Sequence, residues 1–110
     1  MFVPISINGT SQQMTADTYV YTGLSITIPA NNYYAIRAIA VWVNSQPSGV
    51  RISTSNQYLT KDNTVSTNDE GSETSVVGIT TNNPITYYVW GRWIYSTNNY
   101  ARINGFRIPS

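Results

Sequence analysis

The fold of this chain is decided by residues 85–96, which read ITYYVWGRWIYS. Large apolar side chains alternate along this stretch, and a period of two is typical of a β-strand with one buried face. One face carries the odd-numbered positions, among them Tyr87 and Trp93, and the other carries even-numbered positions such as Tyr88 and Trp90. The alternation predicts a strand here and leaves open which of its two faces is buried.

The same alternation recurs in other parts of the chain, with Pro, Gly and Asn residues between the runs. No run shows the apolar spacing of an amphipathic helix over more than two turns. The predicted strands are, in chain order, residues 3–7, 22–28, 33–43, 50–53, 75–79, 85–96 and 100–108. About seven strands separated by turns predict an all-β fold, an antiparallel β-sandwich of the jelly-roll kind.

Two stretches depart from this regular pattern. Residues 54–74 are polar, and because a long loop without structure is uncommon in a compact domain, we expect a short strand or a functional role there. Gly105 predicts a β-bulge, which would let Ile103, Phe106 and Ile108 share one face. With 110 residues the chain is expected to form one domain over residues 1–110, since two would each have too small a core.

The composition argues against most kinds of enzyme. The chain contains no cysteine and no histidine, so it has no disulfides, no thiol nucleophile and no Ser-His-Asp triad. Four of its five acids lie in the polar loop, but their spacing does not match the EF-hand pattern for calcium. A glycosidase pair on one such loop would also be poorly held. We therefore predict a binding or structural domain with no catalytic residues, cofactor or metal.

Charge and hydropathy exclude two further classes of partner. The formal net charge is +1, with Lys61 as the single lysine, whereas proteins that bind nucleic acid nonspecifically carry a clear excess of cations. No run of about 18 apolar residues is present to insert into a membrane. Residues 1–7 lack the basic and apolar regions of a signal peptide, so none is expected.

The candidate binding residues come from the aromatic region and its arginines. Aromatic rings stack on the apolar C–H faces of sugars, and arginine pairs with anions through two hydrogen bonds. The candidates for ligand binding are Tyr88, Trp90, Arg92, Trp93, Tyr95, Tyr100 and Arg102. The alternative is that the rings form the core of the sandwich and that the arginines cover apolar surface or bridge subunits.

Three stretches, residues 25–31, 38–56 and 86–109, resemble the small all-β tip domains of phage tail fibres and baseplate receptor-binding proteins. The turn Ile28-Pro29-Ala30-Asn31, followed by a long aromatic strand, carries most of this resemblance. It implies a homotrimer that binds cell-wall or capsular sugars of the host. The expected location is the virion or the extracellular space. These 110 residues show no coiled-coil shaft or recognisable assembly anchor, so the resemblance implies a tip domain alone or a small virion protein. The family has no fixed functional residues that could be assigned to positions of this sequence.

The leading hypothesis is therefore non-catalytic recognition of a host-surface glycan by the tip of a phage tail fibre. One alternative is a structural or decoration protein of the virion whose aromatic surface is a subunit interface. Another is a monomeric carbohydrate-binding module. An enzyme would have to depend on Asp62, Asp69, Glu70 or Glu73, the acids of the polar loop.

Overall fold

The computed structural model describes residues 3–9, 12–13, 18–41, 47–80, 82–93 and 98–109. These residues form β1 (Val3–Asn8), β2 (Gln12–Gln13), β3 (Val20–Ile28), β4 (Asn32–Val41), β5 (Pro47–Ser53), β6 (Thr64–Asn68), β7 (Glu73–Ile79), β8 (Ile85–Trp93) and β9 (Asn98–Pro109). The predicted all-β class is confirmed. Within the described ranges, no helix is long and apolar enough to cross a membrane.

The strands form two antiparallel sheets. The first sheet has the order β1-β9-β4-β7, with the short β2 paired to the start of β9, and the second sheet has the order β3-β8-β5-β6. Apart from β2 and the β5–β6 hairpin, successive strands alternate between the sheets. Eight strands connected in this way form a jelly roll, so the predicted jelly-roll sandwich is confirmed.

The structure contains two strands, β2 and β6, besides the seven predicted ones, and it lacks the predicted bulge in β9. The polar stretch 54–74 contains the short strand β6, as expected. The bulge predicted at Gly105 is wrong, because Gly105 pairs in unbroken register with Ile5 of β1 and with Ile36 of β4. Because β9 is hydrogen-bonded to a strand on each side, an extra residue at Gly105 would disturb its pairing with both β1 and β4. The register shifts instead in β3, between Tyr21 and Ser25, and in β5, between Pro47 and Gly49 and between Ile52 and Ser53.

The core lies between the sheets and follows the alternation along the strands. From the second sheet it receives Leu24, Ile26, Ile28, Val50, Ile52, Tyr87, Val89 and Trp93, and from the first sheet it receives Tyr34, Ile36, Ala38, Ala40, Ala101 and Ile103. The odd-numbered positions of β8 therefore face the core, which answers the question left open by the sequence. Within this core the hydroxyls of Tyr34 and Tyr87 lie 2.5 Å apart, so the two sheets also share a buried hydrogen bond.

Candidate functional site

The structure divides the predicted binding residues into three groups. Tyr88, Trp90 and Arg92 alternate with the buried positions of β8, so they share the outer face of the second sheet. Trp93 points inward. Tyr100 and Arg102 lie on β9 in the first sheet. Tyr95, the remaining candidate, lies outside the described residues.

Trp93 belongs to the core, so the prediction that it binds a ligand at the surface is wrong. The side chain is fully buried, and its indole Nε1 donates to the carbonyl oxygen of Val41 at 3.2 Å. The indole lies over Gly91, where a Cβ atom would collide with the ring. Gly91 thus makes room for the largest core side chain, and a ligand at the surface cannot contact Trp93.

Tyr100 and Arg102 are separated from the β8 group by the thickness of the sandwich. Their neighbours Ala101 and Ile103 are buried, so Tyr100 and Arg102 face outward from the first sheet. Tyr100 is half-buried and Arg102 is exposed. One small ligand therefore cannot contact this pair and the β8 group together.

On the outer face of the second sheet, Tyr88 and Trp90 contact a third aromatic residue, Tyr21 of β3. The centroids of Tyr21 and Tyr88 are 5.8 Å apart with the rings edge to face, and those of Tyr21 and Trp90 are 5.9 Å apart. We call Tyr21, Tyr88 and Trp90 the ring cluster. The sequence argument missed Tyr21 because the predicted strand began at residue 22, although the same alternation extends two residues further back.

Trp90 packs against Tyr21 and is itself shielded from solvent. Its side chain is only 7% exposed, and its indole Nε1 donates to the carbonyl oxygen of Ser55 at 2.9 Å. Ser55 belongs to the segment between β5 and β6, which therefore closes over Trp90. Tyr21 and Tyr88 are partly exposed, so they are the rings that a ligand can reach.

Next to the ring cluster, two arginines and an aspartate surround Tyr19. The guanidinium carbons of Arg51 and Arg92 lie 4.4 Å and 5.1 Å from the centroid of the Tyr19 ring, within the range of cation–π contacts. Arg51 also forms a bidentate pair with Asp69, in which Nε and Nη2 each donate to a carboxylate oxygen at 2.8 Å. We call Tyr19, Arg51, Asp69 and Arg92 the arginine cluster.

Asp69 is the common acceptor of the arginine cluster. Besides Arg51, its carboxylate accepts hydrogen bonds from the Tyr19 hydroxyl and from Thr67 Oγ1, the latter at 2.9 Å. Its backbone carbonyl accepts from Arg92 Nη2 at 2.9 Å. The hydrogen bonds from Arg51, and then from Tyr19, hold the pKa of Asp69 well below its ordinary range. Burial, together with the bond to Asp69, raises the pKa of Tyr19 to about 12. At neutral pH the carboxyl is therefore charged and the phenol is protonated.

The position of Tyr19 depends on a glycine in the neighbouring strand. The Tyr19 hydroxyl lies over Gly49 of β5, so that a Cβ atom on Gly49 would collide with it. Gly49 is paired with Arg92 across β5 and β8. Tyr19 comes just before β3, outside every run of alternation, and sequence analysis had no pattern by which to find it.

The arrangement is suited to binding and poorly suited to acid–base chemistry. A general acid or base needs a pKa near the working pH, and Asp69 is shifted in the opposite direction. Across the described parts of the chain, no three metal-ligating side chains come together. Partly exposed aromatic rings beside fixed cations are instead the groups that recognise a ligand with apolar faces and polar substituents.

No known protein family matches this sequence, and a search of curated proteins finds no significant relative. The ring cluster and the arginine cluster are therefore interpreted from their own geometry.

Proposed function

We propose that the chain is a non-catalytic receptor-binding domain, the tip of a phage tail fibre, which recognises a host-surface glycan on the outer face of its second sheet. The observation that carries this proposal is the ring cluster, in which Tyr21 and Tyr88 are partly exposed above the buried Trp90. A solvent-facing sheet surface ordinarily carries polar side chains, and packed aromatic rings there indicate a recognition surface.

The chemistry of the face fits a sugar. The Tyr21 and Tyr88 rings offer apolar surface for the C–H face of a pyranose. Around them Thr27 and Thr86, whose hydroxyls lie 2.9 Å apart, and Arg92 offer donors and acceptors for sugar hydroxyls. Because Tyr21 and Tyr88 brace each other edge to face, they lose little side-chain entropy on binding, which favours affinity.

Binding of Tyr21→Ala and Tyr88→Ala variants to an array of bacterial capsular and cell-wall polysaccharides tests the proposal. We expect each truncation to weaken binding about tenfold, as the loss of one aromatic stacking contact would. Tyr33→Ala is the matched control, since Tyr33 is an exposed tyrosine on the outer face of the first sheet. Absence of any bound polysaccharide, or equal loss in all three variants, would remove the ring cluster from consideration as a glycan site.

A second candidate function, a structural or decoration protein of the virion, is favoured by a different surface. On the outer face of the first sheet, Val77 is 74% exposed, and the paired Ile79 and Tyr33 are each half exposed. This apolar patch lies along β7, an edge strand, and such edges pair readily with other chains.

Light scattering and capsid or tail binding separate the two candidates. The tail-fibre proposal includes a homotrimer, with a mass near three times 12.2 kDa. A stable trimer that binds glycan supports that proposal. Capture of virion components without glycan binding supports the decoration protein, and a glycan-binding monomer supports a carbohydrate-binding module.

A further inference from the structure

A depression on the outer face of the second sheet adjoins the arginine cluster, with which it shares Arg51, and lies above the β5–β6 hairpin. It is open to solvent and has a volume of about 360 Å³, near the lower end of the roughly 300–1,000 Å³ common for ligand sites. Its described lining residues are Arg51, Lys61, Thr64 and Thr67, two cations and two hydroxyls without a carboxylate. Because Asp69 pairs with Arg51, the lining keeps one excess positive charge, that of Lys61, which indicates an anionic group in the ligand.

Arg51 is fixed in position before any ligand arrives. Its Nε and Nη2 atoms are held by Asp69, while Nη1 takes no part in that pair. The ring of Tyr19 supports the guanidinium from one face. A guanidinium held in this way binds an oxyanion without first losing side-chain entropy. Lys61, from the segment that joins β5 to β6, supplies a second cation to the same depression.

The two threonines present acceptors to the depression. Thr64 Oγ1 donates its proton to the carbonyl oxygen of Thr60 at 2.6 Å, and Thr67 Oγ1 donates to Asp69 at 2.9 Å. Since a hydroxyl has one proton and two lone pairs, each oxygen keeps lone pairs for an incoming donor. A bare anion has no proton to give to them. A sugar that carries an anionic substituent provides both an oxyanion and donating hydroxyls.

The depression is in line with the ring cluster across the sheet. Tyr21 pairs with Trp90, Trp90 pairs with Arg51, and Arg51 pairs with Thr67, so these residues form one row across four strands. With strands about 4.8 Å apart, the Tyr21 and Arg51 backbones are separated by about 10 Å. One oligosaccharide can therefore stack on Tyr21 and reach the depression with a neighbouring sugar unit.

We propose that the depression lined by Arg51, Lys61, Thr64 and Thr67 binds an acidic sugar unit, one that carries a carboxylate, sulfate or phosphate. This inference rests on the proposed function and narrows it, from glycans in general to anionic polysaccharides.

Amide chemical shifts of the labelled protein, titrated with glucose, glucuronic acid, glucose 6-sulfate, glucose 6-phosphate and inorganic sulfate, test the proposal. We expect at least one acidic sugar to shift the amides of the four lining residues at lower concentration than glucose or inorganic sulfate does. The three acidic sugars distinguish which anion is preferred. Equal binding of glucose and all three acidic sugars, or binding of inorganic sulfate as tight as that of every acidic sugar, would overturn the proposal.

Two pairs of variants test whether Lys61 and Thr64 bind the acidic sugar. Lys61→Gln is expected to weaken binding of the preferred acidic sugar about fivefold, the upper range for an exposed charge pair. Arg37→Gln removes the same charge from the other sheet and should have no effect. Thr64→Val should weaken binding and Thr64→Ser should retain it, because only the serine keeps the hydroxyl. Unchanged binding in both Lys61→Gln and Thr64→Val would contradict the assignment.

The inference and the proposed function fail in different ways. Loss of polysaccharide binding in Tyr21→Ala and Tyr88→Ala, with none in Lys61→Gln, would keep the glycan site and reject the acidic unit. Binding of an acidic sugar at the depression, with no polysaccharide bound on the array, would keep the depression and reject the glycan site at the ring cluster.

Discussion

The outer face of the second sheet and that of the first sheet each carry an arginine with an acidic partner, yet the two are organised differently. Arg51 and Asp69 form a bidentate pair at 2.8 Å, with side chains 27% and 44% exposed, and Tyr19 packs against the guanidinium. Arg37 and Glu73 lie 3.7 Å apart at a single pair of atoms, with both side chains more than half exposed.

The contrast extends to the aromatic residues. Tyr21, Tyr88 and Trp90 contact each other on the second sheet, and a loop residue closes over Trp90. On the first sheet, the exposed Tyr33 has no ring contact among the described residues. A surface whose side chains hold each other in place is pre-organised for a ligand, whereas isolated side chains must be ordered on binding. The difference supports our proposal that the outer face of the second sheet binds the ligand.

The largest expected difference between the two faces concerns their aromatic residues. Trp90→Ala should lower the free energy of unfolding by about 3 kcal/mol, since it removes a nearly buried indole and leaves the Ser55 carbonyl without its donor. Tyr33→Ala should change it by less than about 0.5 kcal/mol, because half of that side chain is already exposed. Urea unfolding followed by fluorescence measures both, and similar losses would mean that the faces do not differ as described.

A smaller difference is expected between the two arginines. Arg51→Gln should lower the free energy of unfolding by about 1 kcal/mol, because the substitution removes a bidentate pair of favourable geometry. Arg37→Gln should change it by no more than about 0.3 kcal/mol, as is usual for an exposed ion pair. Both substitutions remove one positive charge, so a global charge effect cancels in the comparison. A larger loss of unfolding free energy in Arg37→Gln than in Arg51→Gln would contradict the conclusion that the second sheet holds its arginine more firmly.

The smallest effect is the dependence of stability on pH. Arg51 and Tyr19 lower the pKa of Asp69 in the folded chain, so their stabilisation is fully present above the unfolded carboxyl value of about 3.9. It is lost as the pH falls from that value through the lower pKa of the folded state, because the unfolded chain takes up the proton first. Unfolding in urea at pH 7 and pH 3 should therefore show a smaller difference for Asp69→Asn than for the unaltered chain. An identical difference in the two proteins would contradict the role of Asp69.

Alternation along the strands was enough to predict the fold class and which residues share a face. Leu24, Ile26 and Ile28 are buried as a period of two requires. It also predicted that Tyr88, Trp90 and Arg92 share a face, without indicating which way that face pointed. Local pattern succeeded here because each strand buries one side against a single core.

The parts that the sequence did not predict depend on contacts between distant segments. Tyr19 and Asp69 are fifty positions apart, and no local pattern relates a residue before one strand to a turn after another. Trp90 has the same parity as Tyr88 and is nevertheless buried, because the segment containing Ser55 folds over it. Trp93 was predicted to bind a ligand because it is aromatic, and only the structure shows that the odd-numbered face of β8, on which it lies, is the buried one.

The pairing of β9 has a consequence for how the chain folds. β9 lies between β1 and β4, so the first described strand and the last one are hydrogen-bonded neighbours. The first sheet cannot close during synthesis until residues 98–109 have been made, and β1 and β4 must wait with unpaired edges. Contacts between segments so far apart in sequence make folding slow, and exposed edges during that delay favour aggregation. We therefore expect the yield of refolding to fall as temperature and protein concentration rise. The stability of the folded jelly roll should depend less on these two conditions.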